Sequence, residues 1–232
     1  MKRLAFYITV IFLISSCARL SVIEEREPHV LQTVVPPERS QPDLHVLNYK
    51  NRESGANIAP WLRRYLEEGI IGVESMSAYQ GQYIFIAKTS SRNMMVINQW
   101  MENYSYERDF SRLVAERIQS RMNRNLPDLS PEVYYGTHYA RTVRAAYEAR
   151  FSGNRRLDDS WVLAIAKGQT ETTPLQEQRY WGFILISIPR TVLETQISEL
   201  LSGLLSSATN RSATRSQNAA FAQLRENFFE QF

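Results

Sequence analysis

A single cysteine, Cys17, stands in a chain of 232 residues. With no second thiol, no disulfide can close a loop and no thiolate set can hold a metal, so packing and hydrogen bonding alone must hold the fold. Its position is equally informative. Lys2 and Arg3 open the chain, an apolar run follows from Leu4 to Ile14, and then comes Ser15-Ser16-Cys17. Basic, apolar, small is the order of an export signal. The apolar run is about eleven residues long, where a spanning helix needs about 20. The segment reads as a cleaved address.

Ile14-Ser15-Ser16-Cys17 resembles the lipobox of a bacterial lipoprotein precursor. The resemblance implies cleavage between Ser16 and Cys17, loss of residues 1–16, thioether lipidation of Cys17 and acylation, typically with palmitate, of its freed amino group. Several acyl chains, each contributing roughly 0.8 kcal/mol per buried CH₂, give stable attachment to a lipid bilayer where one chain is marginal. Ala18, not an acidic residue, follows the cysteine. In lipoproteins of enteric type this implies the outer membrane, with the protein facing the periplasm.

Removal of Lys2 and Arg3 with the signal lowers the formal net charge from +3 to +1. So neutral a mature chain makes no electrostatic case for nucleic acid as partner. An apolar content of 44% is that of a folded domain.

Residues 17–57 carry Pro28, Pro36, Pro37 and Pro42 among polar residues, which predicts a lipidated tether rather than a helix. Within it, "VLQTVV" reads as a short strand able to add to another sheet. A globular part is expected over residues 58–205. Pro60 suits the first turn of a helix and Gly69 its stop. "IIGVESMSAY" and "YIFIAKTS" then read as a β-hairpin. Met94, Ile97, Met101, Tyr104, Phe110, Val114, Ile118 and Met122 recur at helical spacing, which predicts a long helix broken near Ser105 and ended before Pro127. Tyr139, Val143 and Ala146 continue the period in a further helix.

The period then changes. "RFSGNRRLDDSWVLAIAKG" reads as a hairpin whose second strand is 161–166. "RYWGFILISI" is nearly continuous in apolar residues, which predicts an interior strand over 180–188 with Trp161 and Phe183 largely buried. "PRTVLETQISELLSGLL" starts a helix with an acceptable proline. Residues 206–217 form a polar linker, and 218–232 a terminal amphipathic helix with Phe221, Leu224, Phe228 and Phe232 on one stripe. That stripe either folds back on the domain or binds a partner's groove; as a partner-binding surface it is the best interaction candidate in the chain.

Hairpin, long helices, hairpin, strong strand and helix make an α+β domain of strand-helix-strand-strand type, an antiparallel sheet of about four or five strands with long helices packed on it. "PWL", "YIFIAKTS", "RLVAERIQSRM", "GNRRLDDSWVLAIAKG" and "YWGFILISIPRTVLETQI" resemble the family of outer-membrane lipoproteins typified by the twenty-kilodalton Lpp of ε-proteobacteria. They also resemble the N-terminal domain of the flagellar protein FlgT. The resemblance covers roughly residues 58–205. It implies a non-catalytic scaffold or assembly factor whose partner is an envelope, peptidoglycan-associated or flagellar protein. A docking activator of a peptidoglycan-synthesis enzyme is the second reading, and a cell-wall hydrolase the third.

The residues themselves suggest no reaction, cofactor or metal site. Of three histidines, His29 and His45 fall in the tether, and His138 heads a helix as an expected surface or cap residue. Asp158-Asp159 are neighbours whose side chains diverge on a strand, and they read as turn residues before Trp161. No G-x-S-x-G elbow, S-x-x-K or phosphate loop occurs. Arg117, Arg121, Arg124, Arg141, Arg144, Arg155 and Arg156 could form an anion-binding patch, but interspersed Glu116, Glu148 and Asp158 favour an ordinary mixed surface.

Overall fold

The computed structural model describes residues 43–124, 126, 129–166, 177–206 and 213–232. The signal, Ser16, Cys17, "VLQTVV" and the middle of the polar linker lie outside the described residues.

Four strands form one antiparallel sheet: β1 (Leu44–Tyr49), β2 (Gln82–Ser91), β3 (Arg155–Ala166) and β4 (Arg179–Pro189), in the order β1-β3-β4-β2. The interior position of β4 follows from its composition. Every residue from Gly182 to Ile188 is buried, a run suited only to a strand covered on both faces. Alternation splits it: Ile184, Ile186 and Ile188 enter the larger core, Phe183 and Leu185 the smaller one.

The smaller core lies under a single helix, α1 (Pro60–Glu74), through Trp61, Leu62, Tyr65 and Val73. On the opposite face lie α2 (Met94–Glu102), α3 (Tyr106–Asn123), α5 (Thr137–Glu148) and α6 (Arg190–Ser206). The short α4 (Pro131–Tyr135) and α7 (Arg215–Glu226) complete that layer, and a 3₁₀ turn over Phe228–Gln231 ends the chain. Helices on both faces of an antiparallel sheet make the fold α+β.

Several expectations are corrected. Leu44–Tyr49, inside the stretch read as tether, is a strand of the sheet, because β1 pairs with β3 from Leu44↔Ala166 to Tyr49↔Val162. So short a strand exists only by borrowing a partner over 100 residues away. At Gly69 (φ 72°) the backbone leaves helical geometry, as the glycine predicts, but a second helical segment follows directly and carries α1 on to Glu74, through the stretch read as a strand. No hairpin precedes Trp161: β3 is one strand of 12 residues with a bulge between Arg156 and Asp158. The break near Ser105 is where α2 gives way to α3. Gly136, at φ 59°, divides α4 from α5.

Phe183 is buried, its ring edge-on to Tyr65 at 5.8 Å. Trp161 is partly buried, packed edge-on against Tyr180 at 5.8 Å at the margin of the larger core. Truncating a fully enclosed aromatic costs about 3–5 kcal/mol, and a partly exposed one less, in proportion to the area it keeps buried. Urea unfolding should therefore show Phe183→Ala as much the more damaging change, with Trp161→Ala well below it. Equal losses would contradict the two-sided burial of β4.

Candidate functional site

On α3 the apolar stripe of Phe110, Val114, Ile118 and Met122 is interrupted by two arginines one turn apart, Arg117 and Arg121. Their exposures are 5% and 8%. Burying a guanidinium is costly unless its donors are used, and here two nitrogens of each are engaged. Arg117 donates to Glu74 Oε1 at 2.9 Å, to the Ile84 carbonyl at 3.2 Å and to the Phe232 carbonyl at 2.9 Å. Its plane lies over the rings of Tyr83, Phe85 and Phe232, at 4.8, 5.3 and 5.0 Å. Arg121 donates to the carbonyls of Phe228 at 2.8 Å and Asn227 at 2.7 Å. These carbonyls follow the last turn of α7, where a cation meets the negative end of the helix.

Glu74 has a second duty. Its Oε1 also accepts from the Ile84 backbone N–H at 2.9 Å. The Arg190 N–H donates to the Gly81 carbonyl, so alternation turns the backbone groups of Ile84, Ile86, Lys88 and Ser90 outward from the sheet. The ion pair thus satisfies both outward groups of Ile84 on the free edge of β2. Beyond Ile84 this cover ends. A cleft of about 230 Å³ opens there between α1 and α3, walled by Tyr65, Ile70, Phe85 and Leu113 and rimmed by Lys88, Arg112 and Glu116. Burial lowers the Lys88 pKa against the pull of Glu116, and raises that of Glu116 against Arg112 and Lys88. Burial also pushes the Tyr65 phenol up to about 12.

The other candidates fall elsewhere. Phe221, Leu224, Phe228 and Phe232 are all buried in the larger core. Their stripe folds back on the domain and offers no surface to a partner, because Arg117 and Arg121 draw the chain end inward. His138 is 1% exposed, not a surface residue. Its ring stacks on Phe221 at 4.5 Å and Nε2 lies 2.7 Å from Asn218 Oδ1, so it joins α5 to α7.

Asp158 and Asp159 are strand residues, not turn residues, and each is engaged separately. Asp158 accepts from Trp61 Nε1 at 2.7 Å. Asp159 accepts from Lys50 at 2.7 Å and from Arg156. Burial would raise the Asp159 pKa, but these two cations outweigh it and hold the carboxyl below its usual value. The seven arginines form no common patch, since Arg117 and Arg121 are internal. Among the described residues no group of three His, Cys, Asp or Glu side chains is placed to hold a metal ion. No family model, curated protein or solved structure matches the chain.

Two outcomes follow from these contacts. Arg117→Met leaves Glu74 buried without its cation and frees the chain end, which should cost about 3–5 kcal/mol; urea unfolding checks the cost, and limited proteolysis should cut first after α7. Because the folded Asp159 pKa is depressed, its stabilisation is present above about pH 4, the unfolded value, and is lost as pH falls through the lower folded value. Unfolding curves of the protein and of Asp159→Asn should therefore converge on acidification through that window and differ by a constant amount above about pH 5.

Proposed function

We propose that this chain is a bacterial lipoprotein, anchored by acylated Cys17 at the outer membrane and facing the periplasm, that works without catalysis by docking an envelope or flagellar partner. The observation that carries the reading is Ile14-Ser15-Ser16-Cys17 closing an apolar run too short to span a bilayer. Other features are consistent with it. Among the described residues no helix is long and apolar enough to cross a membrane, so attachment falls to the acyl chains. Residues 18–43 separate Cys17 from β1. At no more than about 3.6 Å per residue they allow a reach of up to roughly 90 Å.

The binding role is supported by how the polar side chains are used. His138, Asp158 and Asp159 each hold two elements together: α5 to α7, β3 to α1, and β3 to Lys50 beyond β1. Among the described residues, the outward backbone groups of β2 beyond Ile84 take no side-chain partner. A protein that presents a sheet edge is equipped to bind other chains.

The anchor is tested by metabolic labelling with palmitate. The native chain should take up label and partition with the outer membrane. Cys17→Ser should take up none and be recovered in the soluble fraction. A Cys17→Ser chain that still carries label would overturn the assignment.

A further inference from the structure

We propose that the open edge of β2, from Ile86 to Ser90, is a docking seat for an extended acidic peptide, which adds as a fifth strand and places a carboxylate against Lys88 and Arg112. The proposal deepens the docking reading above and rests on it, but not on the lipid anchor.

The backbone argument comes first. Along β2 the outward N–H and C=O groups recur at Ile84, Ile86, Lys88 and Ser90. Those of Ile84 are occupied by Glu74 and Arg117. At Ile86 and Lys88 no side chain among the described residues takes that part. Instead the cleft between α1 and α3 borders the edge. One end of the strand is closed by an ion pair, and the stretch beside it is left as a pairing template. An incoming strand gains main-chain bonds there. Its alternate side chains fall on the two sides of the sheet, one set toward Tyr65 and Ile70, the other toward Leu113 and Glu116.

Charge then selects the strand. Lys88, Arg112 and Glu116 rim the cleft and leave one positive charge in excess, Glu116 being already beside Arg112 at 3.7 Å. Lysine on a sheet edge is a common guard against unwanted pairing. A neutral strand docked here would bury Lys88 with only Glu116, which it shares with Arg112, as counter-ion, and a basic one would repel it. A strand with a carboxylate at that register converts the guard into a contact. The same reasoning disfavours a second copy of this chain, because two β2 edges paired about Lys88 would set lysine against lysine.

The test uses the full chain in detergent micelles, acylated and as Cys17→Ser, titrated with a capped heptapeptide of alternating valine and threonine that has a central glutamate. The control peptide has lysine at that centre. Backbone amide shifts at Ile86, Lys88 and Ser90 should follow the glutamate peptide, and the lysine peptide should bind at least about tenfold more weakly. Lys88→Glu should reverse the preference. Lys88→Pro deletes one outward N–H and no bond to β4, so it should abolish binding while leaving the unfolding midpoint near that of the parent. Equal affinity for both peptides, or shifts confined to β1, would overturn the proposal. So would the absence of any shift, or β2 shifts that grow with protein concentration and no peptide. Identical binding by acylated and Cys17→Ser chains separates this site from the anchor: the docking seat can fail while the palmitate label persists, and the reverse.

Discussion

Arg117 sits where three parts of the chain converge, and its guanidinium is buried there. It pairs with Glu74 at the end of α1, donates to Ile84 on β2 and to Phe232 at the chain end, and lies against three aromatic rings. In a protein without a disulfide, this is the nearest thing to a cross-link. A buried pair of this kind is poor evidence of net stability, because desolvation offsets most of the attraction. Its value is positional. It fixes the two sheet-covering layers to one edge strand, one on each face, at a single residue.

The C-terminal segment depends on that convergence. Arg121, one turn on, holds the carbonyls of Asn227 and Phe228, and the rings of Phe228 and Phe232 fill the space beside Tyr83. The hydroxyl of Tyr83 donates to Glu194 on α6 at 2.7 Å. Aromatic packing and carbonyl capping act together, so the apolar stripe of α7 is consumed by the molecule that carries it. The free edge of β2 is what remains open, and it is open because the same ion pair reaches only as far as Ile84.

The sequence made some of this legible. The strand Tyr180 to Ile188 was readable because an unbroken apolar run has few alternatives, and α3 and α5 were readable from their period. Arg117 stood in phase with the apolar stripe beside Ile118, the one hint of a buried cation, but its partner Glu74 lay in a stretch that read as a strand. Gly69 marked a real break in helical geometry, but nothing local told that a second helical segment, buried through Val73, would follow it. His138 looked like a cap because nothing local announces a ring stacked on Phe221, more than 80 residues away.

Alone, the sequence determined the local quantities: the length and polarity of the N-terminal apolar run, the absence of a second thiol, the periods of the helices and the interior character of β4. Each depends on neighbouring residues and on their contact with water, and so survives without knowledge of the fold. Tertiary structure decided the rest. Pairing with β3 turned Leu44 to Tyr49 into a strand, and the two arginines made an exposed-looking phenylalanine stripe internal. The end of the sheet order at β2 chose which backbone groups were left facing outward. These depend on contacts between segments far apart in the chain, whose free energy no local pattern encodes.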